Sequence, residues 1–114
     1  MQPHEHIILE ISRERERQQS KEGWSPEHDD SHDNRELALA AACYAIGRPD
    51  VGGNVTAPCG VDGQISATMS IRVFPWIMSW WKPKTERRNL IRAAALIVAE
   101  IERLDRAHAR SRAA

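Results

Sequence analysis

The residues best suited to chemistry form two blocks of opposite charge. Residues 27–36 contain five carboxylates and two histidines against one arginine, and residues 82–92 contain five cations against one carboxylate. Carboxylates with imidazoles are typical metal ligands, whereas Arg and Lys bind phosphates. The pattern therefore predicts either an acidic metal site beside a basic phosphate site, or two blocks that pair across the fold and serve only its stability.

The acidic block has the spacing of a metal-binding loop. Two imidazoles and two carboxylates lie close together and provide ligands for Zn²⁺ or a harder cation. A divalent cation is therefore the candidate cofactor, and its candidate ligands are His28, Asp30, His32 and Glu36. An ordinary polar surface loop with the same residues is the competing interpretation.

The basic block directly follows three of the four tryptophans, Trp76, Trp80 and Trp81. Indole rings stack on bases, and the free N–H groups at a helix start favour an anion. The sequence therefore predicts a site for a nucleotide-sized ligand, to which the first helix and the loop after it also contribute. Its candidate residues are Arg13, Arg17, Trp24, Trp80, Trp81, Lys84, Arg87 and Arg88. Alternatively, the tryptophans only cover a small core.

Composition limits the classes of protein that fit. The chain has 114 residues, which predicts a single domain over 1–114. Its 16 Lys and Arg equal its 16 Asp and Glu, so generic DNA binding is not expected. No apolar run approaches the ~18 residues of a membrane-spanning helix, and no export signal is recognisable. We therefore expect a cytoplasmic protein whose two cysteines, Cys43 and Cys59, are reduced.

The periodicity of apolar residues predicts a mainly α fold with three helices, over about 5–22, 34–46 and 86–109. The charged half of the first helix, 12–22, is expected to face solvent, unless one of its rows points into a site. Between the helices we expect a polar loop over 23–32, an inserted β-hairpin over about 51–73 that turns at Asp62–Gly63, and a Trp-rich loop over 74–84. The tail 107–114 is expected to fray.

The last helix predicts an assembly. Its apolar residues recur at alternating steps of four and three, and 93–99 is apolar on every side. A helix that is apolar all round is buried all round. Two other helices cannot easily cover it, so we expect a homo-oligomer built on this helix.

Several of these segments together resemble a family of small phage and prophage proteins. The similarity lies in RERERQ (13–18), EGWSPEHDD (22–30), ELA…CYA (36–45), WWKPK (80–84) and AAALIVAEIERLDR (93–106). Residues 48–73 lie outside this pattern and are interpreted as an insertion. The resemblance implies a phage-encoded helical protein and no single activity.

The last helix is also distantly similar to that of MazG-like all-α nucleotide pyrophosphohydrolases. That resemblance implies Mg²⁺ held by an ExxE pair on one helix and an ExxD on the next. Here Glu36 is followed by Leu39 and Ala40, and the third helix opens with an ExxN at 86–89. Glu102 and Asp105 fit ExxD but lie near the helix end. The departures weaken the case for hydrolysis.

Three functions remain open at this stage. The first is a non-catalytic nucleotide-binding protein that sequesters a nucleotide immune signal of the host, similar to the anti-defence sponges of phages. The second is a MazG-like metal-dependent nucleotide pyrophosphohydrolase. The third is an inhibitor that binds a host protein through its Trp-rich loop.

Overall fold

A computed structural model describes residues 1–46, 54–59, 67–72 and 84–113. These residues form four helices and two strands: α1 (Pro3–Ser20), α2 (Pro26–Asp30), α3 (Glu36–Ile46), β1 (Asn54–Cys59), β2 (Ala67–Arg72) and α4 (Glu86–Ala113). The prediction of a mainly α fold is confirmed for this part of the chain.

The apolar core lies between α3 and α4. Small residues allow the two helices to approach closely, and Leu37 and Leu96 fill the space between them. Trp24 packs against the edge of this core. Its buried members are Leu37, Ala40, Ala41, Cys43, Tyr44, Ala93, Leu96 and Ala99.

The first helix contributes polar residues to the interior. Glu14, Arg15 and Gln18 are the buried residues of α1, so the expectation that 12–22 faces solvent is wrong for this row. Burial of Glu14 and Arg15 is tolerated because each charge is paired with an opposite charge. Arg15 donates to buried Asp29 (2.6 Å) and to Glu102 of α4 (3.0 Å). Ion pairs thus join α1 to α2 and α4.

The segment predicted as a polar loop contains the short helix α2. Pro26 occupies its first turn, and the Ser25 hydroxyl accepts a hydrogen bond from the backbone N–H of His28 (3.2 Å). A Ser cap followed by Pro is a typical helix start. Apolar periodicity does not predict α2, because a helix of five residues is too short to show it.

The third helix begins at Glu36, two residues after the predicted start. Arg35 has φ 66°, a left-handed conformation that does not fit an α-helix, so the helix begins only at the next residue. The Glu36 carboxylate accepts a hydrogen bond from the backbone N–H of Asn34 (2.6 Å). The segment before α3 is thus a tight turn rather than the first turn of the helix.

The last helix begins as predicted and ends later. The Thr85 hydroxyl accepts a hydrogen bond from the backbone N–H of Arg88 (3.2 Å) and thereby caps the first turn of the helix. The helix continues to Ala113, so the predicted fraying from 107 is not seen. Arg106 and Arg110 both donate to Asp30 at the end of α2 (2.9 and 3.1 Å), and these bonds hold the distal turns against the rest of the fold.

One face of α4 remains exposed. Leu90, Ile97, Ile101 and Leu104 expose 49%, 50%, 52% and 51% of their surfaces. These residues belong to the stripe with alternating steps of four and three, whereas the buried residues of α4 lie on the opposite side.

The two strands pair antiparallel, in a register that runs from Asn54 opposite Arg72 to Cys59 opposite Ala67. The predicted turn at Asp62–Gly63 and residues 74–83 of the predicted Trp-rich loop lie outside the described residues.

Candidate functional site

A small cleft lies where α1, α3 and α4 meet Trp24, and its enclosed space of about 10 Å³ has room for about one water molecule. It combines aromatic, amide and charged groups, which is the mixture expected of a site for a small polar ligand. Its lining residues are Glu14, Arg17, Gln18, Glu22, Trp24, Tyr44, Arg92 and Leu96.

The turn after α1 places Trp24 at the cleft. Gly23 has φ +75°, a conformation that favours glycine, and the backbone N–H of Trp24 donates to the carbonyl of Gln18 (3.0 Å). The indole lies parallel to the His28 ring, with ring centres 5.9 Å apart and planes within 1°. The chain thus folds Trp24 back over the end of α1 and fixes its ring plane.

Arg17 binds two carboxylates at the cleft. Its Nε and Nη2 each donate to Glu14 at 2.8 Å, and its Nη1 donates to Glu22 at 3.0 Å. Arg88 also donates to Glu14. Burial alone would raise the pKa of Glu14, but Arg17, Arg88 and Arg92 hold it below its ordinary value. Glu14 therefore stays ionised inside the fold.

The charged groups that line the cleft balance one another. Two guanidinium groups, from Arg17 and Arg92, accompany the carboxylates of Glu14 and Glu22. An anionic ligand would therefore bind through Arg17 or Arg92 in competition with these carboxylates.

Gln18 contributes a buried polar atom that points to a missing partner. The residue is 1% exposed, and its Nε2 donates to Glu14 (3.4 Å). Its Oε1 is buried and accepts no hydrogen bond from the described residues. A buried acceptor without a donor is costly, by about 1–3 kcal/mol, so a ligand that donates a hydrogen bond here gains affinity.

Only some of the residues predicted to bind a ligand lie at this cleft. Arg17 and Trp24 line it, and Arg88 reaches it through Glu14. Arg87 instead forms a two-pronged pair with Glu10 (2.9 and 2.6 Å). Arg13 and Lys84 are exposed, and neither is part of the cleft.

Trp80 and Trp81, also predicted to bind the ligand, lie outside the described residues. Six lining residues were not among the candidates: Glu14, Gln18, Glu22, Tyr44, Arg92 and Leu96. The apolar periodicity places Tyr44 and Leu96 in the core, and Arg92 belongs to the basic block, but no signal in the sequence identifies Gln18 as part of a site.

The predicted metal ligands separate into two groups. His28 and His32 face one another, with their Nε2 atoms 3.4 Å apart, and His32 Nδ1 lies 3.2 Å from Glu36 Oε2. Asp30 instead accepts hydrogen bonds from Arg106 and Arg110. Within the described segments, no three His, Cys, Asp or Glu side chains are grouped so as to hold one metal ion.

The two charged blocks do not pair with each other through these contacts. Asp29 and Asp30 of the acidic block bind Arg15 of α1 and the two arginines at the end of α4. Arg87 and Arg88 of the basic block bind carboxylates of α1. Both blocks therefore take part in ion pairs that hold the helices together.

The carboxylates named by the MazG-like resemblance also have other partners. Glu36 accepts a hydrogen bond from the backbone N–H of Asn34 and lies within hydrogen-bond distance of His32 Nδ1. Glu102 accepts a hydrogen bond from Arg15. Cys43 is fully buried, and burial raises its thiol pKa to about 11, so it remains a protonated core residue at neutral pH.

No family model, no curated protein and no solved structure matches the chain with significant similarity. Among the described helices, none has the length and apolar character needed to cross a membrane.

Proposed function

We propose that the protein is a non-catalytic nucleotide-binding protein that acts as a homo-oligomer. The observation that carries this proposal is the cleft at Trp24, where an aromatic ring, a buried amide oxygen that accepts no hydrogen bond from the described residues and two arginines lie together.

The base of the ligand would occupy the side of the cleft formed by Trp24 and Gln18. An indole face stacks on any base. The unpartnered Oε1 of Gln18 would accept a hydrogen bond from an exocyclic amino group or a ring N–H. Both features suit a planar ligand with donors on its edge.

The phosphate would occupy the side formed by Arg17. Its guanidinium now shares its donors between Glu14 and the half-buried Glu22. Glu22 lies beyond the end of α1, so a phosphate would displace its carboxylate and take the same donor. Arginine presents a planar fork that matches phosphate oxygens, which lysine does not.

Sequestration is the finer form of this proposal. A protein that only holds a nucleotide signal needs stacking and cationic groups and no catalytic carboxylates. Glu14, the buried carboxylate of the cleft, is occupied by two arginines, which favours binding over metal-assisted hydrolysis. Together with the resemblance to phage proteins, this supports a phage-encoded sponge for a nucleotide immune signal of the host.

The exposed stripe of α4 supports the oligomer. Leu90, Ala94, Ile97, Ile101 and Leu104 follow the alternating spacing of a coiled-coil seam. Four of them are about half exposed in the single chain. A second copy of α4 is the occupant whose spacing matches this seam, because an identical helix repeats the same steps in register.

A ligand screen tests the nucleotide proposal. We expect nucleotides and cyclic nucleotides, added with and without Mg²⁺, to raise the melting temperature, and mass spectrometry to recover the ligand intact. Arg17→Lys should weaken binding about tenfold or more through the loss of a charged hydrogen bond, whereas Arg13→Lys, one turn away on the same helix, should not. Product formation would support the hydrolase instead, and no response to any nucleotide would contradict the proposal.

Light scattering tests the assembly. The parent should be larger than a monomer at tens of micromolar protein, a range set by ordinary interface affinities. Ile97→Asp should produce monomers because it places an unpaired carboxylate in a dry interface. Ile46→Asp is the matched control, since Ile46 is also exposed (57%) but lies on α3. A monomeric parent, or equal effects of both changes, would contradict this interface.

A further inference from the structure

We propose that His28 and His32 form a two-histidine site for a transition-metal cation of the Zn²⁺ class, distinct from the Trp24 cleft. The two rings lie edge to face, with centres 4.7 Å apart and planes at 71°. Their Nε2 atoms are 3.4 Å apart and face each other.

Each ring is held by a carboxylate at its other nitrogen. Asp29 Oδ1 lies 3.3 Å from Nδ1 of His28, and Glu36 Oε2 lies 3.2 Å from Nδ1 of His32. Carboxylates behind metal-binding histidines fix the tautomer and orient the ring. The same arrangement is present here twice.

These carboxylates decide which ring nitrogens carry a lone pair. An ionised carboxylate only accepts, so Nδ1 of each ring must donate. Glu36 also accepts a hydrogen bond from the backbone N–H of Asn34 through Oε1 (2.6 Å), so both of its oxygens face donors. When both rings are neutral with the proton on Nδ1, each Nε2 carries a lone pair, and one cation can bind both.

The separation of the two nitrogens fits such a cation. Zn²⁺ binds imidazole nitrogen at about 2.0–2.1 Å in tetrahedral geometry, which places two such nitrogens about 3.3–3.4 Å apart. The observed distance is 3.4 Å. Nitrogen donors favour Zn²⁺, Cu²⁺ or Ni²⁺ over Mg²⁺ and Ca²⁺, which take oxygen ligands.

Water can supply further ligands to such an ion. The His28 and His32 side chains are 34% and 19% exposed, so solvent reaches both rings. Asp30, which lies between the two histidines in the sequence, is bound by Arg106 and Arg110. The described residues thus supply two ligands, which predicts moderate affinity and an exchangeable ion rather than a closed structural site.

Calorimetric titration with ZnSO₄ after chelator treatment tests the proposal. We expect one ion per chain at this site, and a loss of at least tenfold in association constant for His28→Asn and for His32→Asn. His108→Asn is the control, because His108 is an exposed histidine of α4. Binding that survives in the His28→Asn/His32→Asn double variant would overturn the proposal. The absence of Zn²⁺ binding in the parent would also overturn it and would leave a proton shared between the rings.

Glu36 is a positioning residue in this site, and Glu36→Gln tests its role. The amide keeps an oxygen that can accept from Asn34, but it no longer enforces the tautomer of His32. Loss of such a partner typically weakens metal binding 10–100-fold. Co²⁺ provides a second readout, since its visible absorption reports the ligand set. A Glu36→Gln protein with unchanged Zn²⁺ affinity and an unchanged Co²⁺ spectrum would show that the carboxylate does not orient a ligand.

Discussion

The buried ion pair between Arg15 and Asp29 should be a major determinant of stability. Arg15 Nη2 donates to Asp29 Oδ2 at 2.6 Å, and the two side chains are 7% and 0% exposed. Arg15→Met replaces the arginine with an apolar side chain of similar length, so Asp29 loses the guanidinium group that pairs with it. Removing one partner of a buried pair costs about 3–5 kcal/mol, which is a large part of the 5–15 kcal/mol that stabilises an ordinary domain.

The reciprocal change should cost less. Asp29→Asn leaves Arg15 with Glu102, whose carboxylate is 3.0 Å from its Nε, and the asparagine oxygen remains an acceptor. We expect a loss of about 1.5–3 kcal/mol, the value of one charged hydrogen bond. The double variant Arg15→Met/Asp29→Asn should lose less stability than the sum of the two single losses, because both charges are removed together.

Urea unfolding followed by circular dichroism, in the presence of a chelator, measures these differences. The chelator excludes any contribution of a metal at His28, which also contacts Asp29. Arg13→Met is the control for helix propensity, since Arg13 is exposed on the same helix, and it should stay within about 0.5 kcal/mol of the parent. A loss below about 1 kcal/mol for Arg15→Met, or a larger loss for Asp29→Asn, would refute the reasoning.

Three further effects follow from the described residues. Leu96→Ala should lower the free energy of unfolding by about 2–5 kcal/mol in urea, because Leu96 is 1% exposed, whereas Ile46→Ala at 57% exposure and outside the proposed interface should cost much less. Arg35→Gly should raise it by roughly 0.5–1 kcal/mol, as relief of the left-handed strain exceeds the added entropy of the unfolded chain; a destabilised variant would show that Arg35 is not strained. Stability should decrease as the pH falls below about 4.5, because the folded pKa of Glu14 lies below its unfolded value of 4.5 and its contribution is complete only above that value. Melting curves of Glu14→Gln should show a weaker decrease over the same range, and an equal decrease would assign the effect to other carboxylates.

Apolar periodicity was enough to predict the long helices. The repeats on α3 and α4 placed both near their observed positions, because burial of a continuous stripe fixes a helix more strongly than any local signal. For α1 the pattern placed the helix within about two residues of its observed ends but did not indicate its buried residues, which are Glu14, Arg15 and Gln18. Polar residues bury only when specific partners meet them, and those partners, Asp29 and Arg88, come from distant parts of the chain.

The candidate sites show the same division. The sequence indicated Arg17 and Trp24 because their chemistry is distinctive, and it indicated His28 and His32 because of their spacing. It could not indicate that Gln18 Oε1 lacks a donor or that Asp30 is taken by arginines of α4, since both depend on how three helices meet. Ion pairs between distant segments thus determine which of the candidate residues lie close together in the structure.

The hydrogen bonds from Arg106 and Arg110 to Asp30 should couple the local opening of the C-terminal turns of α4 to that of α2. Arg106 and Arg110 lie one turn apart and approach the same carboxylate, and Arg106 also donates to the carbonyl of Pro26 (3.4 Å). Local opening of the helix end should therefore also raise the rate of hydrogen exchange at the backbone amides of α2. A chain shortened before Arg106 would leave α2 attached through Arg15 and Asp29 but would loosen the frame behind the two histidines.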